Sequence, residues 1–284
     1  MKRFFKLLGL LTFLYMSILY SEKAITVVRE LDDLMVKIEE EKDNYNLNYQ
    51  NASILNHKAI PGLNGRKVNI NKSYHNMKRF GNFNSNLFEY DEIYPKISIK
   101  NNYSNYIISG NAKKNNISLI FTTHNSEGID NIVSILKEKK ITAAFFISNE
   151  FFLKNQKTIN KINKNGNILG IKIDDYIEKD EFNWLEFTLK QLSKKNNYCY
   201  FEKENYDYLK HCNQYKNYSL IPSIIVNENP LKEIKDELKP GNIISLPASD
   251  IVSEELKLII TYINSRGYKL VSLNELFSEK LDGI

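Results

Sequence analysis

Several residue types from which catalytic and metal sites are built are scarce in this chain of 284 residues. Two cysteines, one tryptophan and four histidines are present, with neither a CxxC nor an HxH pair, which argues against a zinc module. The sequence also lacks a GxSxG elbow, a Walker loop and a GxGxxG turn after a strand, which excludes the common hydrolase and nucleotide-binding motifs. Without an arginine-rich arm or an RNP-like aromatic strand, we expect no nucleic-acid partner.

What the chain does have is the composition of a folded protein. Hydrophobic residues make up 42% of the sequence, and the length allows one large α/β domain or two small ones. The 39 Lys and Arg against 34 Asp and Glu give a net charge of only +5. Because these charges are spread along the chain, they favour anionic surroundings only slightly.

The N-terminus has the order of an export signal. Three basic residues precede an uncharged apolar run over Leu7–Tyr20. Small residues suited to a signal peptidase are poorly placed after this run, so we expect an uncleaved signal-anchor over residues 1–21. A cleaved signal peptide and a buried core helix are the alternatives. Positive charge before the run predicts a membrane-anchored, extracytoplasmic protein at the cell surface, which is secreted if the segment is cleaved.

The two cysteines are expected to form a disulfide. Cys199 and Cys212 belong to a chain that the N-terminus directs out of the cytoplasm, where disulfides persist. The bond would join the strand "YCYF" to the end of the helix that follows it. A Cys212 nucleophile paired with His211 is the competing interpretation, but neighbouring residues on a helix point apart.

Residues 22–59 are predicted to form an amphipathic stalk helix and a linker. Apolar residues recur at steps of three and four from Ala24 to Ile38, with charged residues between them. Such a helix either lies on the rest of the protein or mediates self-association. From Asp43 to Ala59 the periodicity disappears, as expected of a linker.

Residues 60–112 are predicted to be an ordered extension packed on the main domain. Pro-Gly and Asn-Gly turn signals open the segment, and short helical and extended stretches follow. The segment is rich in aromatic side chains, which are interpreted as packing anchors, with a sugar-stacking platform as the alternative. They are Tyr74, Phe80, Phe83, Phe88, Tyr90 and Tyr94.

Residues 113–284 alternate between strands and helices. Near-continuously apolar strands such as "LIF", "AAFFI" and "NIISL" are separated by helical patterns. This alternation predicts an α/β fold with a parallel sheet or a barrel wrapped by helices.

Five stretches of this region resemble the motifs of the NodB homology domain of polysaccharide deacetylases. "LIFTTHN" stands where the family has a strand ending in "TFDDG", and "AAFFI" follows a helix as "ATFF" does there. "GNILGIKIDDY" falls on "GHEIGNHTYSH", "GNIISLPA" on "GDIVLLHD", and "RGYKLVSL" on "GYKFVTL". The resemblance implies a distorted (β/α) barrel. The N-terminal half is similar in appearance to membrane-anchored members of the family in Firmicutes.

The resemblance also implies a site whose chemistry is missing. Enzymes of the family use a divalent metal such as zinc to remove acetyl groups from N-acetylated glycans. Their general base and metal aspartate fall on Thr122 and Thr123, and their metal histidines fall on Lys172 and Tyr176. The histidine that serves as general acid falls on Pro247, and the aspartate next to it falls on Ala248. None of these side chains is suited to bind a metal or to transfer a proton at neutral pH, so no cofactor is expected.

A metal site rebuilt from His124, Asp174 and Asp175 is geometrically conceivable. The alternative is that the two aspartates are solvated loop acids and that His124 is a loop or helix N-cap residue. Three functions therefore stay open. The preferred hypothesis is a catalytically inactive, glycan-binding or structural module of the cell envelope. The others are a divergent metal-dependent deacetylase and a protein-interaction adaptor that uses the stalk and the extension.

Overall fold

The computed structural model describes residues 11–20, 32–173, 177–193 and 197–281. By its contacts the chain divides into two compact units. Unit 1 contains residues 1–49 and 64–94, and unit 2 contains residues 50–63 and 95–284. The boundaries expected from the sequence lie at residues 22, 60 and 113, whereas the contacts group residues 50–63 and 95–112 with the strands that follow them.

The described helices and strands alternate over most of unit 2. The strands are β1 (Ser53–Leu55), β2 (Lys58–Ile60), β3 (Gly65–Val68), β4 (Tyr90–Ile93), β5 (Tyr106–Ile107), β6 (Asn116–Thr122), β7 (Ala144–Ile147), β8 (Ile168–Lys172), β9 (Tyr198–Tyr200), β10 (Tyr218–Leu220), β11 (Ile224–Ile225), β12 (Ile243–Pro247) and β13 (Lys269–Leu270). The helices are α1 (residues 11–20), α2 (Asp33–Tyr45), α3 (Ile70–Phe80), α4 (Ile129–Glu138), α5 (Asn149–Lys154), α6 (Gln156–Lys164), α7 (Lys179–Leu192), α8 (Tyr206–Gln214), α9 (Pro230–Glu237), α10 (Asp250–Ser265) and α11 (Leu273–Leu276). Short 3-10 helices span Ser85–Leu87, Ile99–Asn101 and Ala112–Lys114.

Helix α1 is the described part of the predicted signal-anchor. All ten of its residues are exposed. Among the described residues, no helix is both long enough and apolar enough to cross a membrane. The rest of the predicted anchor, residues 1–10 and 21, lies outside the described residues.

Unit 1 has its own small core, in which α2 packs against α3. Helix α2 begins at Asp33, because the Asp32 carboxylate accepts a hydrogen bond from the Leu34 N–H and caps the helix. Met35 and Ile38 of α2 are buried against α3 and the β3–β4 pair. The predicted stalk residues Ala24, Val27 and Leu31 lie outside the described residues. Self-association through α2 stays a prediction.

The aromatic side chains of this unit follow the packing interpretation only in part. Tyr74 and Phe88 are buried in the core, and Phe83 and Tyr90 pack against it. Phe80 and Tyr94 are about three-fifths exposed, at 59% and 61%. Their apolar surface does not contribute to the core of unit 1.

Unit 2 is built on a curled half-barrel sheet. Among the described residues its strands follow the order β1-β2-β5-β10-β9-β8-β7-β6-β12-β11, with β13 paired to β6. All pairs except β1–β2 are parallel. Parallel strands need covering on both faces, which explains their continuous apolar runs. The predicted α/β class is confirmed, and the curled sheet is consistent with the predicted distorted (β/α) barrel.

Alternation along the strands separates two buried faces. Leu119 and Phe121 of β6 join the core beneath the helices. Ile120 of the same strand joins a second core on the inner face of the curl, which is closed by C-terminal side chains such as Leu276 and Phe277. The inner face of the sheet therefore has a core of its own, distinct from the core beneath the helices.

The predicted linker over Asp43–Ala59 is wrong. Helix α2 continues to Tyr45, and residues 53–60 form the β1–β2 hairpin. The turn residues Asn56 and His57 have φ angles of 48° and 59°, the left-handed values of a two-residue hairpin turn. Three-residue strands are too short to show a periodicity, so the asparagine at the turn was the available signal.

The predicted disulfide between Cys199 and Cys212 is confirmed. It joins β9 to the last turn of α8, as expected, and both cysteines are fully buried. A bond that closes a loop of this size restricts the unfolded chain and stabilises the fold by roughly 3 kcal/mol.

Reduction should therefore lower the free energy of unfolding by about 3 kcal/mol. Urea unfolding with and without dithiothreitol measures this change. The double variant Cys199→Ala/Cys212→Ala is the control, because its unfolding midpoint should not respond to the reductant. An unchanged midpoint for the native protein under reducing conditions contradicts the expectation.

A buried carboxylate ties the C-terminal end of unit 2 to two earlier segments. Glu279 is 2% exposed. It accepts hydrogen bonds from the N–H groups of Gly62 and Ile99, at 3.0 and 3.2 Å, and from the hydroxyl of Ser98. These contacts hold three segments that are far apart in the sequence.

Replacing this residue by alanine, Glu279→Ala, should destabilise the fold by roughly 3 kcal/mol, because two buried N–H groups and a partly buried hydroxyl lose a charged acceptor. Glu254→Ala removes an exposed carboxylate from α10 and should stay within about 0.5 kcal/mol of the native protein. Thermal or urea unfolding measures both. If the two variants are equally stable, the Glu279 carboxylate does not stabilise the fold.

Candidate functional site

Strand pairing brings three of the predicted site positions to one edge of the sheet. Thr122 is the last residue of β6, and its register partners are Pro247 of β12 and Phe146 of β7. Lys172 is the last residue of β8 and is paired with Tyr200 of β9. Because all these strands are parallel, their carboxyl ends meet at the same edge.

The same residues also share a face. Thr122 alternates with Phe121, which faces the helices, and so lies on the inner face with Ile120. Alternation places Lys172 and Pro247 on that face as well. Thr122 and Lys172 are only 5% and 7% exposed. The positions that the resemblance assigned to the general base, one metal histidine and the general acid therefore lie together.

Thr123 has its polar atoms turned toward β7. Its N–H and its hydroxyl donate hydrogen bonds to the Phe146 carbonyl oxygen, at 3.2 and 3.1 Å, and the residue is 1% exposed. The hydroxyl therefore completes the end of the β6–β7 ladder. In this position the threonine acts as a structural residue.

His124 does not join Thr123 at this edge. It is exposed in the loop between β6 and α4. The N-cap of α4 is Gly128, so the N-cap interpretation of His124 is wrong and the loop interpretation holds. Gly128 has a φ of 69°, and a Cβ there would lie 2.3 Å from the Ser249 carbonyl oxygen. The loops that follow β6 and β12 thus approach each other closely.

Large side chains fill the inner face below the carboxyl ends. The rings of Phe146 and Tyr200 lie 5.3 Å apart, and the Ser245 hydroxyl donates to the Tyr200 oxygen at 3.3 Å. Burial raises the pKa of Tyr200 to about 12. The phenol therefore stays protonated at neutral pH and cannot act as a general base there.

The residues at these positions do not fit a divalent metal ion. Two hydroxyls, a proline and an ammonium stand where the family has carboxylates and imidazoles, and a buried lysine repels a cation. Within the described residues, no group of three or more His, Cys, Asp or Glu side chains could hold a metal ion. Asp174, Asp175 and Tyr176 lie outside the described residues, so their placement at this edge stays a prediction.

Comparison with solved structures identifies the architecture. The wild-type Bacillus anthracis protein BA3943, a family 4 carbohydrate esterase pseudoenzyme, superposes with a TM-score of 0.70 at 22% identity. The match covers 88% of this chain and 96% of that one. A BA3943 mutant with restored enzymatic activity gives a TM-score of 0.71. The chain has the fold of the family 4 carbohydrate esterases.

Other comparisons agree with this fold. Bacillus subtilis PdaA, a family 4 carbohydrate esterase, superposes with a TM-score of 0.53 at 21% identity over 62% of this chain and 85% of its own. The uncharacterized protein YlxY of Bacillus subtilis (strain 168) is 24% identical over 277 residues, which are 90% of this chain and 86% of that protein. No family model matches the chain. The predicted resemblance to polysaccharide deacetylases is thus confirmed for the fold.

The sequence motifs did not identify the residues that lie beneath this site. Phe146, Tyr200 and Ser245 occupy the inner face beneath the strand ends. Tyr198 and Tyr200 both alternate with the disulfide-bonded Cys199, and this alternation was the available signal that the two tyrosines share the inner face.

The role of the Thr123 hydroxyl can be measured directly. Thr123→Val keeps the shape of the side chain but removes the hydrogen bond to the Phe146 carbonyl, so it should lower the free energy of unfolding by about 1 kcal/mol. Urea unfolding provides the measurement, with Thr122→Val as the neighbouring control. A loss at position 122 as large as that at position 123 would contradict the assignment.

Proposed function

We propose that this protein is a catalytically inactive polysaccharide deacetylase-like protein of the cell envelope that binds an N-acetylated glycan. The observation that carries the proposal is the composition of the strand ends. Thr122, Thr123, Lys172 and Pro247 retain the places of the catalytic groups without a carboxylate or an imidazole among them. These four side chains can exchange hydrogen bonds or apolar contacts with a sugar, but none of them can activate water.

The architecture supports an inactive member of this fold. BA3943 is described as a pseudoenzyme, and its superposition on this chain spans almost its whole length. A mutant of BA3943 has restored enzymatic activity, so substitution can recover catalysis in that protein. In the present chain, too, the missing groups are side chains at the positions of the family's motifs.

The glycan would be held by hydrogen bonds at the carboxyl ends of the strands, on the inner face of the sheet. The Lys172 ammonium stands at the position of a metal histidine, and it could donate to the acetamide carbonyl that a metal would otherwise polarise. Unlike a metal ion, an ammonium does not make a bound water nucleophilic, and it accepts no proton. The same contact that orients a substrate in an enzyme would here only contribute to affinity.

Location outside the cytoplasm is part of the proposal. The apolar run over Leu7–Tyr20 supports export with membrane anchoring, or secretion after cleavage. The Cys199–Cys212 disulfide supports an oxidising compartment. Both features agree with a partner in the cell envelope.

Binding without hydrolysis is the expected behaviour of the native chain. It should bind an oligomer of N-acetylglucosamine and release no acetate from it in the presence of zinc. Lys172→Met should weaken the binding by about tenfold, since a hydrogen bond from a charged donor is lost. Calorimetric titration and an acetate assay make the two measurements.

Two controls make the outcome specific. Lys154→Met removes an exposed ammonium from α5 and should not change the affinity. A combined variant with Thr122→Asp, Thr123→Asp, Lys172→His, Tyr176→His and Pro247→His restores the side chains of the family and should gain zinc binding. Stoichiometric zinc and acetate release by the native chain would instead support a divergent deacetylase.

A further inference from the structure

A second concave surface of unit 2 lies away from the strand ends. It is a cavity of about 300 Å³, which is at the lower end of the volumes of small-ligand sites. We name it the α8 pocket, after the helix that forms one of its walls. It is lined by His57, Ser104, Tyr206, Leu209, Lys210 and Asn213.

The topology separates this pocket from the strand ends. His57 and Ser104 precede β2 and β5, and β2 is four strands from β8 in the sheet order, about 19 Å at the spacing of neighbouring strands. Helix α8 packs on the helix-covered face through Leu209 and Cys212, whereas Lys172 lies on the inner face. The two sites therefore use different residues and different faces of the sheet.

One face of α8 supplies most of the lining. Tyr206, Leu209, Lys210 and Asn213 follow the spacing of neighbours on one side of a helix. Leu209 is 4% exposed and forms an apolar floor, while Tyr206 is 47% exposed and forms a wall. The ring of His57 meets Tyr206 edge to face, with centroids 5.3 Å apart and an interplanar angle of 65°. Leu209, Tyr206 and His57 together form an apolar corner, with polar groups at its rim.

Tyr206 is held in place by a chain of polar contacts. Its hydroxyl donates to Glu204 at 2.5 Å, and the other oxygen of that carboxylate pairs with Lys58 at 2.9 Å. The Tyr206 hydrogen bond, followed by Lys58, holds the pKa of Glu204 below its usual range. The carboxylate therefore stays ionised, and the ring of Tyr206 is fixed without any ligand.

The other walls are also fixed. The Cys199–Cys212 disulfide joins the end of α8 to β9. The Asn205 N–H donates to the Tyr106 hydroxyl at 2.8 Å, and the Tyr106 N–H donates to the His57 carbonyl at 2.7 Å. A pocket that is built before the ligand arrives loses little conformational entropy on binding.

The charges at the rim indicate the chemistry of the ligand. Lys58 is neutralised by Glu204, whereas Lys210 forms no ion pair with another described residue. Its ammonium is exposed at the rim, beside the aromatic corner. Asn213 and Ser104 add an amide and a hydroxyl, which can donate to or accept from hydroxyl groups.

We propose that the α8 pocket binds an acidic sugar, with the pyranose ring against Tyr206 and Leu209 and the carboxylate paired with Lys210. The apolar face of the ring matches the aromatic corner, and its hydroxyls match Asn213 and Ser104. This assignment does not depend on the glycan site at the strand ends.

Two sugars that differ by one carboxylate test the proposal. N-acetylmuramic acid carries a lactyl group that N-acetylglucosamine lacks, and both can be titrated into the full chain by NMR or calorimetry. We expect saturable binding, tighter for the acid. Lys210→Met should weaken binding of the acid by roughly fivefold and leave the neutral sugar unchanged. Tyr206→Ala should weaken both by about tenfold.

Matched variants separate this site from the strand ends and from loss of fold. Lys137→Met, on the exposed face of α4, makes the same change in charge as Lys210→Met and should have no effect. Lys172→Met reports on binding at the strand ends, and in that variant the acid should still bind more tightly than the neutral sugar and should still respond to Lys210→Met. Tyr206→Phe keeps the ring and should retain most of the affinity that Tyr206→Ala loses, provided that both variants unfold at similar denaturant concentrations.

Each of the following results would overturn the proposal. They are the absence of saturable binding of either sugar, binding that Tyr206→Ala leaves unchanged, and equal affinity for the two sugars with no effect of Lys210→Met. Loss of binding in Lys172→Met rather than in Lys210→Met would place the sugar at the strand ends instead.

Discussion

The parallel pairing of β6 with β7 and β12 is the constraint on which the functional site depends. It aligns Thr122 with Phe146 on one side and with Pro247 on the other. Alternation then decides which side chains face the helices and which face the curl. Any sequence that keeps the apolar residues of these strands also keeps the strand ends in place, whatever side chains they carry.

Because of this pairing, the residues that stabilise the strands are different from the residues that could carry chemistry at the strand ends. Leu119 and Phe121 belong to a buried core and cannot change freely. A carboxylate at Thr123, which is 1% exposed, would be costly without a metal to neutralise it. Threonine instead gives its hydroxyl to the Phe146 carbonyl. An uncharged side chain is therefore the more stable choice at this position.

The sequence was sufficient for the α/β class, the order of elements in unit 2 and the grouping of Thr122, Lys172 and Pro247. Long apolar strands, the motif blocks and two cysteines carry strong signals, and the Cys199–Cys212 bond followed from them. The β1–β2 hairpin did not follow from the sequence, because its strands have only three residues each. Contacts between distant segments, such as those of Glu279, leave no local pattern at all.

The α8 pocket shows the same limit for binding sites. Its residues come from a hairpin turn, a loop and a helix, and the sequence separates His57 from Tyr206 by slightly more than half of the chain. Neither residue belongs to a motif of the deacetylase fold. Only the sheet order, which places β2 beside β5 and β5 beside β10, brings the turn to α8.

The most direct test of an inactive glycan-binding site is a crystal structure grown with zinc and an oligomer of N-acetylglucosamine, with diffraction recorded at the zinc absorption edge. The account predicts sugar density at the strand ends, near Lys172, and no anomalous peak beside Thr122 and Thr123. A zinc peak at that place, held by His124, Asp174 or Asp175, would contradict it and would establish a metal site rebuilt from neighbouring residues.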